Sequence, residues 1–347
     1  VSATEANLDE ISNYSDLDSF ELVNSFDKEE LNVKNLIAGG EGLVGDSHSH
    51  DGGFSETTSA SFSADFAIGA VDGSSDSEAV TTGYGFQIDL QTSFTGEDSF
   101  DVSIDAGNAA DGTLDELDLN STGDKLTVDG IAYTFPLGDK ATIFVGDSMD
   151  GSTLYSTACV YGGVTNTLDD CGNAFSALAA GKGTAAGASF DIGNGFTAAL
   201  GYEGEGSSTA GLLTEAGDDA YGGQIAYTAD QYGLSATYAV IEDPVAGSGV
   251  TEASIWGLNG YWSPSEYGSL PSISVGYEFG DIENSDLDTK HWFVGLQWDE
   301  VGAGTLGAAL GTTGHIVDNQ PEYIMYEALY SYPINDGMTI TPLVYVQ

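Results

Sequence analysis

Carboxylates recur on the polar positions of alternating runs: Asp65, Asp89, Asp101, Asp105, Asp191, Glu203, Glu278 and Glu327, with Ser, Thr, Gly and Gln between them. Two such groups held close together could serve as a general acid and base. A row of them facing water would instead draw cations. Buried in a dry core they would need partners, and the chain has too few bases to supply them. Each is therefore read as a solvated wall charge, and no two are paired as acid and base. Cys159 and Cys171, in ACVYGGVTNTLDDCG, have the spacing of a short disulfide loop, worth about 3 kcal/mol. That pair alone is a poor zinc site, because zinc takes about four ligands. His48 and His50, in DSHSHD, could hold a divalent metal but read more simply as a solvated linker. DGSSDSE (72–78) and DSMDGS (147–152) could hold Ca²⁺ through oxygen ligands, although neither matches an EF-hand loop. GDS at 146–148 could open a serine-hydrolase site. Asp288 and His291 lie mid-strand and far from the chain end, so that match is read as chance. No phosphate loop or dinucleotide fingerprint occurs, and no enzyme is expected.

The elements that would position these groups are strands. Phe100, Val102, Ile104 and Ala106 alternate with Asp101, Ser103 and Asp105, and successive side chains of a strand face opposite ways. Such runs of roughly ten residues recur from Thr57 to Val346, separated by Gly, Asp, Asn and Pro. Roughly ten-residue strands with an apolar outside and an acidic inside predict a transmembrane antiparallel β-barrel. A soluble two-sheet sandwich would use the same alternation.

The outward positions suit lipid: Phe62/Phe66/Ile68, Phe86/Ile88/Leu90, Ile273/Val275/Tyr277/Phe279, Trp292/Val294/Leu296/Trp298 and Ile324/Tyr326/Tyr330/Tyr332. Tyr and Trp gather at strand ends, as an interfacial girdle requires.

Composition narrows the partners. Among 347 residues, Asp plus Glu number 55 and Lys plus Arg number 6, all lysine, for a net charge of -49. A nucleic-acid ligand needs clustered Lys and Arg, so it is excluded. No apolar stretch is long enough for a membrane helix, which does not bear on barrel strands. With Val1 at the start and no signal peptide in view, the chain reads as a mature, exported product.

Residues 1–50 differ from the rest. They carry apolar residues at helical spacing and then a Gly-rich linker, predicting a short helical N-terminal segment, with the barrel over 51–347. Short connections alternate with long ones, as in outer-membrane barrels. This predicts strands near 57–71, 81–94, 99–107, 125–135, 140–147, 183–192, 196–203, 219–229, 233–242, 251–262, 272–281, 288–298, 305–313, 322–332 and 338–347. That makes fifteen, whereas a bacterial barrel closes on an even number. A sixteenth strand pairing with the first is expected beyond these residues, unless two strands are merged around LDELDL (114–119). The longest loop, 148–182, bears both cysteines and Asp147 (at its base), Asp150, Asp169 and Asp170. It is expected to fold into the barrel as a constriction, with a stapled surface loop as the alternative.

Several phrases carry a resemblance: GGFSETTSASF, DGIAYTFPLGD, LYSTACVYGG, GKGTAAGASFDIGNGFTAALGY, LQWDEVGAGTLGAALGT and YEALYSYPINDGMTITPLVY. From about residue 37 to the end, the chain resembles the major outer-membrane porins of marine cyanobacteria. These belong to the carbohydrate-selective, OprB-type family, some members of which are labelled iron-uptake porins. The resemblance implies a sixteen-stranded, homotrimeric barrel in the lipid and lipopolysaccharide of the outer membrane, passing small solutes passively and without a cofactor. Relatives carry a surface-layer-homology domain that holds peptidoglycan. Here ISNYSDLDSFELVNSF is at most a shortened remnant of it, on a periplasmic N-terminus.

The expectation is a porin for small hydrophilic solutes and ions, biased to cations by an acidic, arginine-free lumen. A channel specific for an iron species or a sugar is the first alternative. A soluble or surface Ca²⁺-binding β adhesin is the second.

Overall fold

The computed structural model describes residues 58–73, 79–108, 114–117, 119–173, 176, 183–204, 211–214, 218–242, 252–265, 269–283, 288–317 and 320–347. The helical segment expected over 1–50, with His48 and His50, lies outside them, as does most of DGSSDSE.

Among the described residues, seventeen strand segments form one antiparallel meander. They are β1 (Thr58–Gly69), β2 (Thr81–Thr92), β3 (Ser99–Gly107), β4 (Thr127–Leu137), β5 (Ala141–Met149), β6 (Gly183–Gly193), β7 (Phe196–Gly204), β8 (Asp219–Thr228) and β9 (Tyr232–Glu242). There follow β10 (Glu252–Trp262), β11 (Ser272–Ile282), β12 (Asp288–Val301), β13 (Gly304–Thr312), β14 (Ile316–Val317), β15 (Ile324–Asn335), β16 (Met338–Ile340) and β17 (Leu343–Val346). β13 and β14 both pair with β12 and are one crossing with a break. β16 and β17 both pair with β15 and are likewise one crossing. The crossings therefore number fifteen, each close to a run read from the alternation. LDELDL is not among them: Leu114–Leu117 form a turn, not a strand.

Tight turns fall on one rim and long loops on the other. At the β6–β7 turn, Gly193, Asn194 and Gly195 all take positive φ, a backbone that glycine and asparagine adopt at least cost. β1 pairs with β2 (Phe62 opposite Ile88) and β17 with β15 (Glu327 opposite Tyr345). Among the described residues no ladder joins β1 to β17. These two strands run the same way, as the two ends of a meander with an odd number of crossings must. The sixteenth strand was expected between them. Most of β1 is exposed on both faces, and Phe66 is 84% exposed.

The outer face is apolar. Ile225, Leu234, Trp256, Val275 and Tyr326 are all exposed on it, a larger oily area than a water-facing protein carries. Rings mark the tight-turn rim: Phe196 and Tyr227 lie 4.7 Å apart, and Tyr227 and Tyr232 5.8 Å. This is the placement of an interfacial aromatic belt.

The inner face is uneven. β9, β10 and β11 alternate regularly between buried inward and exposed outward positions. β1 shows no such alternation, and in β2 it is weak. Something therefore covers the inner wall from β7 to β15 and leaves the wall of β1 and β2 largely bare.

Candidate functional site

The cover is the loop between β5 and β6. Its described residues lie inside the barrel and are tied strand by strand to the wall. The Gly151 N–H donates to Glu203 Oε2 on β7 at 2.7 Å. The Ser156 N–H donates to Gln224 Oε1 on β8 at 2.6 Å, and Gln224 Nε2 donates back to the Ser156 carbonyl at 2.9 Å. The Val160 N–H reaches Ser274 on β11, and Asn259 Nδ2 on β10 donates to the Cys171 carbonyl. The Gly162 N–H donates to Gln297 on β12. The Tyr161 hydroxyl donates to Glu327 Oε1 on β15 at 2.5 Å. The Ser176 N–H donates to Glu278 Oε1 on β11 at 2.6 Å.

Burial follows the same path. Tyr161, Leu168 and Cys171 of the loop pack with Phe293, Ala309 and Met325 of the wall. Fully burying side chains such as Leu168, Phe293 and Met325 contributes about 1.5–3 kcal/mol each. The Cys159–Cys171 disulfide closes the loop within this cluster. Gly276 on β11 is the wall position that a loop so close requires, since a side-chain carbon there would overlap the Cys171 carbonyl.

This placement changes the reading of three acids. Glu203, Glu278 and Glu327 were expected as solvated wall charges, yet they are 2%, 0% and 3% exposed. They face inward as the alternation required, but the loop seals them and uses them as acceptors. Asp105 is also buried, with the Thr127 hydroxyl on its carboxylate. Asp89 and Asp101 stay on open wall. Asp89 accepts from Gln87 Nε2 and Ser103, and Asp101 from Gln91 Nε2 and Ser99. With Ser59, Ser61 and Gln91 they line a cavity of about 450 Å³. Asp65 and Asp191 are exposed. Asp191 also caps the tight turn by accepting the Gly193 N–H.

The loop acids are dispersed. Asp147 belongs to β5, opposite the outward-facing Ile131, so it does not face the lumen. Strand parity, which the loop boundary obscured, decides this. Asp150 uses its carbonyl to hold Thr153. Asp169 is exposed. Asp170 accepts the Gly172 N–H, and its carboxyl is pushed up to about 7 by burial and by the nearby Glu278 and Asp169 charges.

Two groups were not singled out by the alternation. One is the histidine pair. His315 Nε2 lies 2.7 Å from Glu278 Oε2, with Thr289 on its other nitrogen, and the His291 ring stacks 5.6 Å away. The other is the loop between β3 and β4. Its Leu114 and Leu119 are buried, with Ala67 against them. Leu119 lies directly on Gly85 and Gly107 of the inner wall: a side chain would collide at Gly107 and fit tightly at Gly85. The inward glycines were the available signal, but a glycine in a strand also marks bulges and barrel corners.

The described lysines all stand away from the inner wall. Lys125 precedes β4, Lys140 is in the β4–β5 turn, and Lys290 is exposed in outward register with Phe279. Among the described residues there is no group of acids, histidines or cysteines arranged to hold a metal ion.

No family model and no curated protein sequence matches the chain. Solved structures do. A mutant of the Rh. blastica porin aligns with TM-score 0.53 and 13% identity over 83% of this chain and 94% of that one. The trimer form of OmpT, an outer membrane protein of Vibrio cholerae, aligns with TM-score 0.55 and 11% identity over 84% and 88%. Salmonella typhi OmpF, in a complex with daunomycin, aligns with TM-score 0.53 and 10% identity over 83% and 89%. At such identities the likeness shows the fold, which is that of the porin barrels.

Proposed function

We propose that the chain is an outer-membrane porin through which small hydrophilic solutes and ions diffuse passively, with a bias toward cations. One observation carries this reading. A loop is built into the barrel against one side of the wall, while the opposite side keeps Asp89 and Asp101 solvated among hydroxyls and amides. A barrel meant only as a scaffold would not leave that wall wet. An enzyme would bring its acids together, and here they are dispersed.

The cation bias follows from charge. Carboxylates on the open wall, with the described lysines elsewhere, make a negative interior that attracts cations and repels anions. Near 1 M salt the Debye length is about 3 Å, so the bias acts mainly where the passage is narrow. The apolar outer face and the aromatic rim support residence in the outer membrane, with the tight turns and the N-terminus on the periplasmic side. The trimer form of a structural neighbour supports a homotrimer. The shared phrases described above support the OprB-type family of cyanobacterial porins.

The test is reconstitution in a planar bilayer. Stepwise conductance with a reversal potential favouring K⁺ over Cl⁻ is expected. Anion preference overturns the charge argument, and absence of channels overturns the porin reading.

A further inference from the structure

The β3–β4 loop meets the β5–β6 loop inside the barrel. The Asn166 N–H donates to the Glu116 carbonyl at 2.9 Å, and Asn166 Nδ2 donates to the Asp115 carbonyl at 2.8 Å. The Thr167 hydroxyl sits 3.2 and 3.0 Å from the two carboxylate oxygens of Glu116. Gln347 Nε2, just past β17, donates to Glu116 Oε1 at 3.2 Å. One carboxylate, carried by the β3–β4 loop, is thus held by the β5–β6 loop and by the residue after β17.

Both sides of this grip are fixed. Thr167 precedes Leu168, which is fully buried against Phe293 and Met325 on the covered wall. Glu116 lies between Leu114 and Leu119, which are buried on the β1–β3 side. The loops therefore join covered wall to open wall, beside the end of β17. At the joint Glu116 is only half-buried and Asp115 is exposed, so the charge at this crossing meets water.

From this geometry we infer that Glu116 is the residue that sets ion selectivity, and that its clasp to Thr167 sets the width of the passage. This rests on the porin reading above and adds to it. A fixed charge matters most where an ion must pass close by. The acids sealed under the β5–β6 loop cannot play that part, because the loop covers them. Asp89 and Asp101 stand on the open wall, apart from the joint of the two loops.

The test compares wild type, Glu116→Gln, Glu116→Asp and Thr167→Val in planar bilayers under a KCl gradient at about 0.1 M, where the Debye length is about 10 Å. Gln keeps an oxygen for the Thr167 hydroxyl and removes only the charge. A unit charge about 4 Å from an ion in water is worth roughly fivefold in occupancy, raising K⁺ and lowering Cl⁻, so the K⁺/Cl⁻ permeability ratio should fall by up to about 25-fold in Glu116→Gln. Its conductance step should stay near that of wild type, and Glu116→Asp should keep the ratio. Thr167→Val should raise conductance and lower the ratio, and this reads the same claim if the Gln variant does not insert. A Glu116→Gln channel with the wild-type ratio overturns the assignment and leaves the porin reading intact. So does a Thr167→Val channel unchanged in both conductance and ratio. A wild-type channel with no preference for K⁺ overturns the cation bias and the role of Glu116 together.

Discussion

Glu278 and Ser176 meet at 2.6 Å, the backbone N–H of a loop residue resting on a carboxylate that is 0% exposed. The other oxygen of the same carboxylate takes His315. A charge on the inner wall is here used to hold the inserted loop. Removing it should therefore be felt first as loss of order in the loop. Glu278→Ala leaves the Ser176 N–H buried without an acceptor, at a cost of about 1–3 kcal/mol. The barrel should still insert, with noisier single-channel current and a lower unfolding midpoint in denaturant. Steady wild-type current in the variant would show that the loop does not depend on this anchor.

Tyr161 makes a similar anchor at the far end of the loop. Tyr161→Phe keeps the ring against Phe293, whose centroid is 5.6 Å away, but strips the donor from Glu327. A hydrogen bond to a charged group contributes about 1.5–3 kcal/mol, so stability should fall by that order. Tyr161→Ala also empties space in the cluster and should cost about 3–5 kcal/mol, by analogy with other buried aromatics. Conductance should rise in the second variant more than in the first. Equal conductance in both would assign the narrowing to other residues.

The disulfide tightens the same cluster. The double variant Cys159→Ser/Cys171→Ser should lose about 3 kcal/mol and pass larger neutral solutes than wild type. A liposome-swelling assay with sugars of increasing size reads this directly. Because Cys171 is 3% exposed, mild reductant on the folded protein should leave the bridge intact, as mass spectrometry after alkylation would reveal. Prompt reduction would mean the loop leaves the wall readily.

Asp170 gives a pH dependence with a definite sign. Burial raises its carboxyl from the ordinary value of 3.8 to about 7. The folded protein therefore holds this proton more tightly than the unfolded chain. The stability it contributes is full below about pH 4, declines as pH rises toward about 7, and levels off above. Unfolding midpoints measured from pH 4 to pH 8 should show that decline in wild type. Asp170→Asn should flatten the part of the curve between pH 4 and pH 7. A variant with the wild-type slope would assign the dependence to another group.

How much of this was legible in the sequence depends on what strand alternation encodes. Alternation gives parity and length, and both were read closely: the run near 99–107 is β3, and the run near 272–281 is β11 within one residue. Parity puts Glu203, Glu278 and Glu327 on the inward side. It says nothing about what lies over an inward face, so their solvation was misjudged. Cys159 and Cys171 pointed to a stiffened loop, but its path from Gly151 to Ser176 depends on contacts between residues far apart in sequence. Gln224, Asn259 and Gln297 are inward polar residues like many others until the loop backbone arrives to use them. Residues 114–117 were read as part of a long connection, but its folding back onto the inner wall escaped, because two leucines flanking an acidic pair suit a strand edge and a folded-back loop equally well.

The glycines at Gly107 and Gly276 carry a wider consequence. At each, the neighbouring carbonyl occupies the space that a methyl group would fill. The width left inside the barrel is thus written partly in atoms the chain omits. A single alanine at either place would push its loop toward the axis, so a lineage could narrow the interior without touching any charge.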